Sequence, residues 1–132
     1  MNVEFRNINK HFGPVHANVD INFSIQSGTI YGILGENGAG KSTLMKILSG
    51  FFQPDSGEIL LDGKVITINS PADAINYGIG MLHQDPLDFP PMRFIENFIV
   101  GQKGSLFPSY NEIIKEFKEL QEKFGFSSES NL

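Results

Sequence analysis

The chain has 132 residues, which suffices for one compact domain, and its 40% apolar and 19% charged residues are typical of a folded globular protein. Its net charge of −5 argues against a protein that binds nucleic acid by neutralising phosphates, and the absence of cysteine excludes disulfides, thiolate zinc sites and cysteine nucleophiles. No apolar run approaches the roughly 20 residues that span a bilayer, and the N-terminus carries no secretory signal, so we expect a cytoplasmic protein.

The first third of the sequence predicts β structure. Apolar and polar residues alternate at residues 3–6 and again, strictly, at residues 19–26, as in strands with one buried face. Ser27 and Gly28 indicate a turn. The nearly continuous apolar run at residues 29–34 predicts a further strand that is buried on both faces.

A glycine-rich loop, a helix and a hairpin follow. Residues 41–49 place their apolar side chains on one helical face, and Gly50 ends the predicted helix. Two strand-like runs, residues 58–61 and 64–68, flank an Asp-Gly dipeptide, which is typical of a two-residue hairpin turn.

The next predicted elements are a short helix and a strand. Ser70 is the expected N-cap, Pro71 occupies the first helical position, and Gly78 closes the helix. The apolar residues 79–82 predict a strand, and Gln84 lies just beyond its end.

The sequence changes character after this strand. A proline-rich linker, residues 85–91, precedes a short predicted helix at residues 94–100. Ser109 and Glu112 fit a capping box that opens a longer helix, and Gly125 ends it. The side chains expected to face inward from this helix are Ile113, Ile114, Phe117, Leu120 and Phe124.

The glycine-rich loop carries the chemistry. It fits the pattern G-x-x-x-x-G-K-[ST], in which glycines let backbone N–H groups turn towards a phosphate and the following helix directs its positive dipole end at the same anion. In this pattern Lys41 would reach the β- and γ-phosphates, and Ser42 would ligate Mg²⁺. A purely structural glycine-rich turn is the alternative, and the strand before and the helix after disfavour it. The predicted nucleotide-binding residues are Gly35, Glu36, Asn37, Gly38, Ala39, Gly40, Lys41, Ser42 and Thr43.

The loop alone leaves kinases, GTPases and transport ATPases open, but the surrounding residues resemble the nucleotide-binding subunits of ABC transporters. The likeness is strongest in ILGENGAGKSTLMKILSG, residues 33–50, and PDSGEILLDG, residues 54–63. Within this superfamily the sequence is most similar to the ATP-binding proteins of simple-sugar and nucleoside importers, which often carry two ATPase domains. The resemblance runs from about Val3 to Gly101.

The resemblance implies a role for two further residues. Phe12 occupies the position of the aromatic that stacks on adenine, although the sequence alone favours a core residue there. Gln84 matches the Q-loop glutamine that contacts Mg²⁺ and the γ-phosphate side, although a lone glutamine at a strand end is usually a solvated amide. The resemblance thus implies Lys41 and Gln84 as catalytic residues, Ser42 and Gln84 as metal ligands, and ATP and Mg²⁺ as the bound species.

The resemblance also implies a fold, the α/β P-loop NTPase fold of ABC ATPases. Residues 1–84 would form the antiparallel β subdomain, the phosphate loop and the Q-loop strand, which are part of the nucleotide-binding core. Residues 85–132 would form the Q-loop linker and the start of the helical subdomain. The family's signature loop, its strand ending in Asp-Glu and its switch histidine are not found in the sequence. We therefore expect an N-terminal piece of a nucleotide-binding domain, inactive by itself and with an unpaired apolar sheet edge.

The implied function is ATP binding in an ATPase that couples hydrolysis to import of a small solute such as a sugar. The implied partners are transmembrane permease subunits, a second ATPase domain and, indirectly, a solute-binding protein, at the inner face of the cell membrane and without nucleic acid. Import of nucleosides or another small solute stays open. A small-molecule kinase and a nucleotide-binding or docking fragment without turnover are the alternatives of another class.

Overall fold

In the computed structural model, the described residues are 1–83, 91–92, 94–100 and 109–125. The chain forms two compact units, Met1–Leu82 and His83–Leu132. The predicted assignment of residues 1–84 and 85–132 to particular subdomains stays a prediction. Gln84 and the predicted linker after it lie outside the described residues, apart from the linker's last position.

A four-stranded antiparallel sheet forms the framework of the first unit. Strand β1 (Val3–Phe12) pairs with β2 (Val15–Ile25) on one side and with β3 (Ser56–Leu61) on the other, and β4 (Lys64–Ile66) pairs with β3. The strand order is therefore β2-β1-β3-β4. The alternating segments at the start of the sequence are confirmed as strands.

Two turns that the sequence predicts form with positive φ angles. Asp62 and Gly63 join β3 to β4 with φ angles of 48° and 79°. A two-residue turn with both φ angles positive matches the right-handed twist of an antiparallel pair, and Asp-Gly is among the few dipeptides that adopt it readily. Gly28 also has a positive φ, 76°, in the predicted turn after β2.

The β1–β2 pair contains bulges that change which side chains are buried. Asn7 and Asp20 have φ angles of 48° and 49°, and the register between the two strands shifts near them. The Asn7 side-chain amide donates to the Asp20 carboxylate at 2.6 Å. Because a bulge interrupts the alternation of a strand, Val19 is 59% exposed and Asn18 only 5%. The predicted buried face is therefore wrong at Val19.

Two helices complete the first unit. Helix α1 (Lys41–Leu48) buries Leu44 and Ile47, as its spacing predicts, and Gly50 follows it with a φ of 77°. Helix α2 (Pro71–Asn76) begins at the predicted N-cap, where the Ser70 hydroxyl accepts the backbone N–H of Asp73 at 3.2 Å. One hydrophobic cluster joins strands and helices, and its buried members are Val3, Phe5, Ile8, Leu44, Ile47, Ile59, Leu61, Ile68, Ala74 and Ile79.

Two predicted strands do not form. Residues 29–34 and 79–82 have no regular secondary structure, and Ile30, Leu34 and Leu82 are almost fully exposed. A strand with two apolar faces needs hydrogen-bonded neighbours and covering layers on both sides. No strand of the described residues pairs with either segment. The two predicted strands are therefore wrong, because they lack hydrogen-bonded neighbours.

The described part of the second unit contains two helices, both of which the sequence predicts. Helix α3 (Phe94–Val100) and helix α4 (Tyr110–Phe124) share a small core around Ile95, Ile113 and Phe117. No helix in the described parts of the chain has the length and apolarity to cross a membrane.

Both ends of α4 differ in part from the prediction. The Ser109 side chain makes no capping hydrogen bond within the described residues, and its backbone carbonyl accepts the first helical N–H groups instead. Gly125 ends the helix as expected, with a φ of 65°. Phe124 is 66% exposed rather than buried, because it lies near the end of α4, beyond the described core around Ile95, Ile113 and Phe117.

A carboxylate couples β1 to the segment that precedes β3. Asp55 accepts the backbone N–H of His11 at 2.7 Å and the ammonium group of Lys10 at 2.9 Å. Both hydrogen bonds hold the pKa of Asp55 below its ordinary value of 3.8, and the one from the His11 backbone has the larger effect. The ionised Asp55 carboxylate therefore stabilises the contact between the end of β1 and the segment that precedes β3.

We expect Asp55→Asn to lower the free energy of unfolding near neutral pH but not in acid. A carboxyl group whose pKa is depressed by folding stabilises the protein above its unfolded pKa, and that contribution is lost as the pH falls through the folded pKa. Urea denaturation of wild type and variant at about pH 7 and about pH 2 measures the change. Glu116→Gln, which removes an exposed carboxylate of α4, is the control. A stability difference that is the same at both pH values would contradict the assignment.

Candidate nucleotide-binding site

The glycine-rich loop is a short exposed turn that leads directly into α1. Gly38 and Gly40 have φ angles of 84° and 80°, values that side chains with a Cβ rarely tolerate. The backbone N–H of Ala39 donates to the carbonyl of Glu36 at 3.2 Å and closes the turn. The loop therefore has the curled backbone that the sequence pattern predicts.

The N-terminus of α1 has no side-chain cap among the described residues. Gly40 occupies the N-cap position in the left-handed conformation, and its carbonyl accepts the first helical hydrogen bond from Leu44 at 2.9 Å. The N–H groups of the first turn have no partner within a helix, and the helix dipole adds positive potential at this end. An anion is the natural ligand of such a terminus.

Lys41 places a cation at the mouth of the loop. Its ammonium group donates to the carbonyls of Gly35 at 2.6 Å and Glu36 at 2.7 Å. Two of the three donors of the ammonium group therefore close the loop. A Cβ on Gly35 would lie 3.2 Å from the Ala39 side chain and 3.8 Å from the Lys41 side chain, so the loop is tightly packed at its first glycine.

These features fit a bound polyphosphate with its metal ion. Ser42 is exposed in the first turn of α1, beside Lys41, and a hydroxyl oxygen is a ligand that Mg²⁺ accepts. Gln84, the second predicted metal ligand, lies outside the described residues. The other predicted contacts are in the same loop and helical turn: Glu36, Asn37 and Ala39 are exposed, and Thr43 is half-buried.

Phe12 lies at the end of β1 and is 43% exposed. Its ring meets the Phe52 ring edge-on, with 5.2 Å between centroids, and the Lys10 ammonium group lies 5.3 Å from its centroid. Phe52 in turn follows α1 and donates its backbone N–H to the Lys46 carbonyl at 3.1 Å. Phe12 is thus packed on one side and accessible on another, so its predicted contact with adenine stays a prediction.

Asn18 on β2 also contacts the loop, although the sequence motifs do not include it. Its side-chain amide donates to the Gly40 carbonyl at 3.2 Å. A Cβ on Gly40 would lie 2.0 Å from the Ala17 carbonyl oxygen and 2.7 Å from the Asn18 amide nitrogen. Glycine is therefore required where the loop meets β2. The available signal was an asparagine inside a strand, where this residue type is depleted.

The histidines do not form a metal site. The His11 imidazole approaches the Asp55 carboxylate at 2.7 Å, and the rings of His11 and His16 are 6.0 Å apart. Within the described ranges, no group of three or more histidine, aspartate or glutamate side chains could hold a metal ion.

A curled glycine loop, an uncapped helix start and a lysine that returns to the loop together define a P-loop nucleotide-binding protein. The family model described as ABC transporter matches residues 19–131. The chain therefore belongs to the ABC transporter family, as the resemblance of its motifs indicates.

Several relatives carry names that agree with this family. The chain is 44% identical over 122 residues to a ribose import ATP-binding protein of Agrobacterium fabrum, covering 90% of this chain and 24% of that protein. It is 46% identical over 100 residues to an arabinose import ATP-binding protein of Vibrio parahaemolyticus, covering 76% and 20%. A nucleoside import ATP-binding protein of Lactococcus lactis is 40% identical over 129 residues, covering 96% and 26%. The chain thus spans about a quarter of these relatives.

Solved structures confirm the fold class. A nucleotide-free ATP-binding cassette from an ABC transporter matches with a TM-score of 0.71 and 32% identity, over 88% of this chain and 46% of that one. The ADP conformation of another ABC transporter cassette matches with a TM-score of 0.72 and 30% identity, over 92% and 53%. The chain has the fold of an ABC-type P-loop ATPase, with the antiparallel sheet described above.

Proposed function

We propose that this chain is the ATP-binding part of an ABC transporter ATPase that couples ATP hydrolysis to import of a small solute, a sugar in the first instance. The observation that carries the proposal is the exposed loop at the uncapped start of α1, with the Lys41 ammonium group held at its mouth. The names of the sugar-import relatives support the substrate class. The nucleoside-import relative keeps a second class of solute open.

In this proposal the loop binds the phosphates before any chemistry takes place. The backbone N–H groups of the loop and of the first turn of α1 surround the β-phosphate, and Lys41 neutralises charge on the β- and γ-phosphates. Ser42 and Gln84 would hold Mg²⁺, which would supply positive charge beside the phosphates. Gln84 also contacts the γ-phosphate side, and Phe12 stacks on adenine.

The proposed partners follow from import as the function. Transmembrane permease subunits bind the ATPase at the inner face of the cell membrane, and a second ATPase domain completes the pair. A solute-binding protein acts through the permease. This arrangement assigns solute selection to the partners and the supply of energy to the ATPase.

The decisive experiment removes the cation at the loop. We expect Lys41→Ala in the full-length protein to weaken ATP binding at least about tenfold, because hydrogen bonds from a charged donor to phosphate are of the stronger class. Isothermal titration calorimetry measures the affinity. Lys64→Ala is a matched control, because it removes an exposed lysine of β4, outside the loop and α1. Equal ATP affinity for wild type and Lys41→Ala would refute the phosphate site.

Base recognition requires a separate test. If Phe12 stacks on adenine, Phe12→Ala lowers the affinity for ATP about tenfold and leaves that for inorganic triphosphate almost unchanged, since only ATP has a base to stack. Phe12→Tyr retains the ring and is expected to bind both ligands like wild type. Equal losses for ATP and triphosphate would make Phe12 a packing residue only.

We expect no steady ATP turnover from residues 1–132 by themselves. Phosphoryl transfer needs a positioned water and charge stabilisation in addition to a phosphate cradle. The sequence contains neither the Asp-Glu strand end nor the signature loop nor the switch histidine of the family. Phosphate release from this chain and from the full-length protein can be compared directly. Turnover by residues 1–132 that Lys41→Ala abolishes would place the catalytic base within them.

A further inference from the structure

Asn18 is a buried polar residue whose hydrogen bonding is incomplete. Its side chain is 5% exposed, and its amide nitrogen donates to the Gly40 carbonyl at 3.2 Å. Its amide oxygen has no partner among the residues that the structure describes. A buried carbonyl without a donor destabilises a fold, because it loses the hydrogen bonds that water supplies in the unfolded chain. Stability alone therefore favours an apolar residue at this position.

The phosphate loop does not need Asn18 to keep its own shape. The Gly40 carbonyl already accepts the helical N–H of Leu44 at 2.9 Å, so it would stay satisfied without the asparagine. Lys41 closes the loop through the carbonyls of Gly35 and Glu36. What Asn18 adds is a link between the loop and β2.

That link joins the phosphate loop to the hairpin that carries Phe12. Asn18 lies opposite Lys10 in the β1–β2 register, and Phe12 follows two residues later at the end of β1. Phe12 packs on Phe52, which is bonded to the last turns of α1. The hairpin therefore contacts the start of α1 through Asn18 and the segment after α1 through Phe12.

At the contact between β2 and the start of α1, the two backbones lie very close together. Gly40 has no room for a Cβ, which would lie 2.0 Å from the Ala17 carbonyl oxygen. The Asn18 amide adds a directional hydrogen bond to this contact, which van der Waals packing alone does not supply. Together they restrict both the distance and the rotation of the hairpin relative to the loop.

We propose that Asn18 is a positioning residue that fixes the Phe12 ring relative to the phosphate loop, so that base and triphosphate are bound as one ligand. This inference rests on the proposed function, because it takes ATP as the ligand and Phe12 as the base platform. The proposed role of Asn18 is to make the site bind a nucleoside triphosphate more tightly than inorganic triphosphate. Asn18 touches neither part of the ligand and acts through Phe12 and Gly40.

The test compares ATP with inorganic triphosphate in the full-length protein. We expect Asn18→Leu to lower ATP affinity about three- to tenfold and triphosphate affinity by less than about twofold, since the coupling energy of residues linked by a backbone shift is of this order. In the Phe12→Ala background the same substitution should change ATP affinity by less than about twofold. Urea denaturation should show Asn18→Leu to be at least as stable as wild type, because the substitution removes the unpaired oxygen.

Controls separate the possible failures. Val19→Ala alters an exposed neighbour on β2 and should leave both affinities unchanged. If Asn18→Leu fails to fold, Asn18→Ala gives the same affinity ratio without added volume. Equal losses for ATP and triphosphate, additive effects with Phe12→Ala, or no loss for either ligand would each overturn the inference. Unchanged ATP binding by Lys41→Ala would instead refute the proposed function.

Discussion

The close contact between Gly40 and the Ala17 carbonyl is the constraint on which the site depends. With no space for a Cβ there, the start of α1 lies directly against β2. This contact fixes where the uncapped N–H groups of α1 are, and hence where a phosphate can be bound. The sheet thus acts as the platform for the loop, and the conformational freedom of one glycine makes the attachment possible.

Features encoded within a few residues were predictable from the sequence. The Asp-Gly turn at residues 62–63, the Ser70 cap and the glycine that ends α4 depend on local φ angles and on hydrogen bonds between near neighbours. The phosphate loop belongs to the same class, because its glycines, its lysine and the helix start are contiguous. Its pattern indicated the chemistry before any geometry was known.

Features that depend on distant partners were not predictable in the same way. The apolar run at residues 29–34 has the composition of a buried strand, but a strand needs neighbours that composition cannot supply. Val19 and Asn18 exchanged their expected burial because a bulge forms between Asn7 and Asp20, thirteen residues apart. The contact of Asn18 with Gly40 accompanies that bulge, and its one local signal is an asparagine inside a strand.

The conformation of Lys41 also determines how a phosphate chain can bind. The ammonium group is held by two loop carbonyls, so a ligand gains only the difference between those hydrogen bonds and the ones it forms itself. Exposed hydrogen bonds to neutral carbonyls are weak compared with those to a doubly charged phosphate. Replacing the carbonyl acceptors of Lys41 by phosphate oxygens is therefore favourable. Because the lysine side chain is already held at the loop, it loses less conformational entropy when an anion binds. A loop closed by its own lysine is in this sense already organised for an anion, and in the role that we propose for it Asn18 extends the same organisation towards the base.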